Sequence, residues 1–241
     1  MPTRLDSPSI DVALAVTDAE LDAASRLVHE CYRRRGYVKP TPDGRHANPY
    51  LAQPSTAVFV ARVEGAVVAT VSLIADSAHR LPCDALWGAE LGELRADHRR
   101  LAEVSALAVS EAWRGAGLLV MRALVRAVGV YGREFAGFDT LCIAVHPRHA
   151  SFYESLLAFR RFGAPRRYEA VNTHAEGLLL DLRQLDRPLD GAFAAEVFTS
   201  EARRQMRLAL QHDLRRRRAA QRLQLLHSRT AVEAFGDRRM C

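Results

Sequence analysis

Between two apolar runs of the chain lies Trp113-Arg114-Gly115-Ala116-Gly117-Leu118. A turn of this kind feeding a helix can hold an anion. The first helical N–H groups are unpaired, and the dipole is positive at that end. Glycines at 115 and 117 would let a ligand come close to the backbone, and Arg114 adds charge. A glycine turn with a solvated arginine would read the same, so the turn alone does not decide. Just upstream, Glu103 and Ser105 interrupt the otherwise apolar stretch Ala102–Val109. In a strand of period two, Glu103, Ser105, Leu107 and Val109 share one face. Polar residues there are either satisfied by hydrogen bonds or belong to a site at the strand's end.

The elements that must position these residues follow from pattern. Residues 12–16 read as a short strand. Thr17-Asp18-Ala19-Glu20 reads as a capping box opening a helix with apolar residues at Leu21, Ala24, Leu27, Val28 and Cys31. Residues 36–54, rich in Pro, Gly, Asn and Asp, predict a loop of a length that often carries function. Residues 57–63 and 66–74 around Glu64-Gly65 predict a hairpin. A short helix is expected near 89–94, a strand over 102–109, then the turn and a helix to about residue 135. The nearly continuous apolar run 139–145 predicts a strand buried on both faces. A helix over 147–159, opened by Pro147, and strands over 166–171 and 177–182 complete the pattern. The order β-α-β-β-loop-β-α-β-α-β-β predicts an α/β fold with a mixed sheet. Pro188 marks an expected boundary, with helical spacing from 198 to 226. The predicted division is a tail over 1–10, a domain over 11–185 and a basic helical extension over 186–241.

Composition sets the bounds. Of 241 residues, 49% are hydrophobic and 26% charged, which predicts a packed core rather than disorder. No apolar stretch reaches the ~20 residues of a membrane span, and the start lacks the apolar centre of a signal peptide, so a cytoplasmic protein is expected. Cys31, Cys83, Cys142 and Cys241 form no CxxC pair or zinc spacing, so neither disulfides nor a metal site is expected. Net charge is +6. From residue 186 onward, twelve arginines face seven acidic residues, so the extension carries most of the excess.

Taken together, the strand, the R-G-x-G-x turn with its helix, the buried strand, His146-Pro147 and Phe152-Tyr153-Glu154-Ser155-Leu156-Leu157-Ala158-Phe159 resemble the GNAT acyltransferase superfamily. Arg114 and Gly117 match its R/Q-x-x-G-x-G/A turn; Leu119 stands where the last small residue belongs. Over residues 10–183 the chain is similar to one branch, the long-chain N-acyl amino acid synthases, relatives of the acyl-homoserine-lactone autoinducer synthases. The similar stretches are Leu27–Gly36, Thr56–Ala61, Asp76-Ser77, Leu81-Pro82, Leu101–Ser105, Ala108-Val109, His146–His149, Phe152-Tyr153 and Val171-Asn172. Ala106 departs from the branch, which commonly carries arginine after Glu-Val-Ser, and no arginine stands near Ser72 as in the autoinducer synthases.

The resemblance implies acyl transfer from a phosphopantetheine thioester, on an acyl carrier protein or coenzyme A, to the amine of an amino acid or similar small molecule. No tightly bound cofactor is implied. The loop amides of Gly115, Ala116, Gly117 and Leu118, with Arg114, would hold the pantetheine or phosphate. Leu107 would border the donor, and N–H groups near Ala108 and Val109 would stabilise the oxyanion. Glu103 is the implied general base, Ser105 its neighbour in the site, and Tyr153 the group beside the departing sulfur. His146 could equally cap the following helix, and His149 could be exposed. A carrier protein is the expected partner, because bulky Leu119 suits a donor without the full nucleotide. Arg33–Arg35 or the C-terminal arginines would attract its acidic surface. Two other readings remain: a conventional acetyl-coenzyme A-dependent N-acetyltransferase, and a non-enzymatic protein binding nucleic acid through Arg215–Arg218. The last lacks any reader motif, so nucleic acid is not the expected partner.

Overall fold

The computed structural model describes residues 9–169, 173–186 and 192–236. A seven-stranded mixed sheet runs through it in the order β1-β2-β3-β4-β5-β7-β6. The strands are β1 (Asp11–Leu14), β2 (Ala57–Val63), β3 (Ala66–Ala75), β4 (Leu101–Val109), β5 (Thr140–Val145), β6 (Arg160–Tyr168) and β7 (Thr173–Asp181). Helices α1 (Asp18–Arg34) and α2 (Asp84–Ala96) cover one face. The other face carries α3 (Gly117–Val130), α4 (Pro147–Leu157) and, from the C-terminal end, α5 (Ala192–Val197) and α6 (Ser200–Gly236).

Local chemistry explains several of these elements. The capping box forms: the Thr17 hydroxyl accepts from the Glu20 N–H, while the Glu20 carboxylate accepts from the Thr17 N–H. Glu64 and Gly65, both at positive φ, turn the β2–β3 hairpin. Helix α2 is longer than the short helix expected. The Asp84 carboxylate accepts the Leu81 N–H at its start, and Arg95 near its end clamps Asp76 and Asp84. Strand β6 begins at Arg160, ahead of the expected residue 166, because Gly163 and Pro165 read as loop. The β6–β7 register shifts between Phe162 and Arg166, so this edge strand bulges around them. Gly163 sits at φ +65, and an added Cβ would lie 2.5 Å from Trp87 Cδ1. Trp87 in turn donates its indole N–H to the Ala164 carbonyl at 2.9 Å.

Among the described strands only β4 and β5 run parallel, and they pair over just three residues, Leu101 to Glu103 against Thr140 to Cys142. Beyond Glu103 the ladder carries no further pairs, and the sheet opens into a cleft there. Strand β4 also bulges against β3: Thr70 pairs with Ala108 and Ser72 with Ser105. Ala106 sits in this bulge at φ +53.

Against the expectation that no apolar stretch reaches the length of a span, the 25 residues Glu111–Phe135 are long and apolar enough by composition to cross a membrane. In the fold this segment packs Val120, Leu124, Ala127 and Val128 into the core against the sheet.

The C-terminal extension shares that core. Val197 and Leu210 are fully buried, and Leu210 joins the main apolar cluster. On α6 the Asp213 carboxylate accepts the Leu14 N–H of edge strand β1 at 3.0 Å. Arg217 donates to the Pro54 carbonyl, also at 3.0 Å. The expected boundary at Pro188, the N-terminal tail through residue 8, Val171-Asn172 and Cys241 lie outside the described residues.

Candidate active site

A cavity of about 950 Å³ opens at the β4–β5 cleft. Its wall includes Glu103, Ser105, Leu107 and Val109 of β4, Arg114, Gly117 and Leu118 of the turn, and Tyr153 of α4. Ala108 is buried against α1, and Gly115 and Ala116 form the outer turn without lining the cavity.

The bulge corrects the period-two reading of β4. Ala102 and Val104 pack on the α3 face, but so do Leu107 and Val109; Leu101 faces α2, and Ala106 and Ala108 face α1. The extra residue at Ala106 thus swaps the faces, and Glu103 lies opposite Leu107 and Val109 rather than beside them. A strand that changes face within the cleft can present polar side chains to one part of the cavity and apolar ones to another.

Glu103 is 3% exposed, and its Oε2 accepts the Cys83 N–H at 2.7 Å. Burial pushes its carboxyl up to about 7, which suits a group that takes up and releases a proton near neutrality. The Cys83 and Cys142 sulfurs and the Glu103 carboxylate lie within 4.8 Å of one another. Spacing along the chain could not reveal this meeting. Burial also pushes the Cys83 thiol well up, and the two buried sulfurs form part of the low-dielectric surroundings of Glu103.

Strand alternation aims the backbone. The Ser110 N–H donates to the Val68 carbonyl of β3 at 2.9 Å, so the Ala108 N–H also faces β3 and the Val109 N–H points toward the open cleft. The 3-10 turn Glu111–Ala116 then leads into α3, whose N-cap Ala116 offers no side-chain hydrogen bond. Its first amides are therefore free of a side-chain cap. Gly115 and Gly117 have no positive φ, and a Cβ on either would meet nothing. The fold itself does not require glycine at either position. Arg114 pairs with Glu111 at 2.6 Å, and Glu111 also pairs with Arg34. Leu119 is half exposed and does not line the cavity.

Tyr153 packs edge-on against Phe152 and Phe159, with ring centroids 5.5 and 5.7 Å apart, and burial raises its phenol. The His146 Nδ1 accepts the Arg148 N–H as the cap of α4. His149 borders the cavity, and burial lowers its basicity. Reasoning from sequence missed the wall built by the 36–54 loop with Tyr32, although the length of that loop signalled it. Tyr32 packs edge-on against Tyr37 and His46, and His29 Nε2 accepts the Thr41 N–H. Tyr168 and His174, from the edge hairpin, close the same side.

The arrangement joins a buried carboxylate, a cleft-facing amide, a phenol and an apolar stretch of cavity wall from α3. A sequence profile described as N-acyl amino acid synthase FeeM matches residues 23–181. The solved structure of FeeM, an N-acyl amino acid synthase from uncultured soil microbes, is 30% identical, with a TM-score of 0.65 over 74% of this chain and 93% of that chain. The synthase LasI, described as an AHL synthase, is 16% identical with a TM-score of 0.55, covering 73% of this chain and 91% of its own. A CoA-dependent acyl-homoserine lactone synthase, BjaI, is 18% identical, also at 0.55, covering 81% and 90%. These last two share the fold. Among curated proteins, none matches this chain.

Proposed function

The chain belongs to the FeeM family of N-acyl amino acid synthases and is a GNAT-fold N-acyltransferase; from that premise we propose that it joins a long-chain fatty acyl group, delivered on an acyl carrier protein, to the amine of an amino acid. The observation that carries this reading is the cavity itself: one continuous space is lined both by Glu103 and Ser105 and by apolar residues of α3 as far as Gly129.

In this reading the pantetheine lies along Arg114 and the first turn of α3, and the acyl chain enters the cavity. The Val109 N–H holds the thioester oxygen as it becomes an oxyanion; one such donor contributes ~3 kcal/mol in the transition state. The amine attacks the carbonyl carbon and its proton passes to Glu103, directly or through water. Collapse of the tetrahedral intermediate breaks the C–S bond. Tyr153, kept protonated by burial, donates a proton or hydrogen bond to the sulfur, and the products are an amide and a free thiol. Ser105, half-buried beside Glu103 on the strand, supplies a hydroxyl to the amine or to a bridging water. The exposed run Arg33–Arg35 beside the opening supports a carrier protein as donor, since its acidic surface would be drawn there.

The test is purified protein with acyl carrier thioesters or acyl-coenzyme A and an amino-acid mixture. Free thiol and N-acyl amino acids, detected by mass spectrometry, are the expected result, faster from carrier than from coenzyme A. No thiol release from any donor overturns the reading. Acetyl transfer from coenzyme A alone would favour the conventional N-acetyltransferase.

A further inference from the structure

The cavity wall includes a residue that the family profile does not cover. Along α3 the cavity wall runs through Gly117, Met121, Val125, Val128 and Gly129. Twelve helical steps separate the first from the last, ~18 Å at the α-helical rise, the reach of an extended acyl chain on the order of a dozen carbons. At the far end stands Phe198, also part of the wall. It belongs to the C-terminal extension, beyond residue 181 where the profile match stops.

Two features show that Phe198 is built into this place. Gly129 lies inside a helix, where glycine costs about 1 kcal/mol relative to alanine. A Cβ at Gly129 would lie 2.7 Å from Phe198 Cε1 and 2.8 Å from Cζ, so the missing side chain admits the ring. The corner that carries the ring is also clamped. The neighbouring Val197 is fully buried and its carbonyl accepts the Arg126 Nε–H at 2.5 Å. Glu196 pairs with Arg122 of α3, and the Thr199 hydroxyl caps α6 by accepting the Ala202 N–H at 3.2 Å. A ring held on both sides of its own backbone is a fixed floor rather than a mobile side chain.

We infer that Phe198, seated on Gly129, is the stop that sets the length of acyl chain this enzyme accepts, and that the C-terminal extension is therefore a specificity element of the site. The inference rests on the acyl-transfer reading above. Chains short of the stop gain about fourfold in affinity per buried methylene; chains that reach it must displace a packed aromatic ring.

The experiment measures binding of pantetheine amides acylated with hexanoyl to stearoyl chains, by calorimetry, to the full-length protein and its Phe198→Ala and Phe198→Leu variants. In the wild type, affinity should climb with chain length and then break. The break should move to chains longer by roughly two or more methylenes in Phe198→Ala, as expected for removing a ring's volume from a packed wall, and by less in Phe198→Leu. Should the alanine variant fail to fold, the leucine variant alone must still lengthen the break. An unchanged break in a folded variant overturns the role of Phe198 while leaving acyl transfer standing. Failure of the wild type to bind any acyl chain overturns both.

Discussion

Glu103 carries the sharpest expectations at the scale of a residue. Its folded value of about 7 stands above the ordinary 4.5 because burial penalises the charged form. In the proposed role of base it must lose its proton, so turnover of the wild type should rise with pH through about 7 and then level. In Glu103→Gln that limb should vanish and kcat should fall by ~10²–10⁴-fold, read from thiol release across pH. The same shift acts on stability with a definite sign. Between about 4.5 and 7 the unfolded chain releases a proton that the folded chain keeps, so the wild type loses stability as pH rises through that window. Glu103→Gln has no such slope. Its thermal midpoint relative to wild type should therefore increase between about pH 5 and about pH 8, and a constant difference would contradict the buried-carboxyl account. Glu103 stood out in the sequence as a charge within an apolar strand. Its partner Cys83 did not, because a contact across twenty positions leaves no local pattern.

At the scale of elements, Gly163 is the position where backbone and packing make the same demand. Gly163→Ala would place a Cβ against Trp87 and hold alanine at positive φ. The expected loss is ~1–3 kcal/mol, read by urea denaturation, with β6 drawn away from α2. Elements whose signals were local were legible in the sequence: the capping box of α1, the β2–β3 hairpin, the strand–turn–helix around Arg114 and the His146 cap. Strand β6 was not, since its arginines, Gly163 and Pro165 are loop residues that only a bulged edge tolerates. Nor was the bulge at Ala106, because alanine gives no sign of positive φ, and a strict alternation carried past it assigned Leu107 and Val109 to the wrong face. Resemblance supplied the proposed roles of Glu103 and Tyr153. Geometry supplied the cleft, the orientation of the Val109 N–H and the aromatic wall around Tyr32.

At the scale of the whole molecule, the extension behaves as part of one core. Leu210 is fully buried in the cluster that also holds Leu14, Phe59 and Leu124. Leu210→Ala should cost ~2–5 kcal/mol and shift a single cooperative thermal transition. A transition of the main domain left in place would mean the extension unfolds on its own. The arginines of the basic tail thereby help to hold the fold together. Arg203 and Arg207 hold Glu134, and Arg217 grips the carbonyl at Pro54.

The bond between Asp213 and Leu14 spans 199 positions, and it sets a timetable for synthesis. Strand β1 leaves the ribosome well before α6 and presents a bare sheet edge until α6 has been made. At ordinary rates of translation that interval is ~10–40 s. During it the cavity also lacks Phe198 from its wall. The nascent chain therefore passes through a stage with an exposed edge and an incomplete cavity wall, and both are completed late, when the segment from α5 to α6 docks.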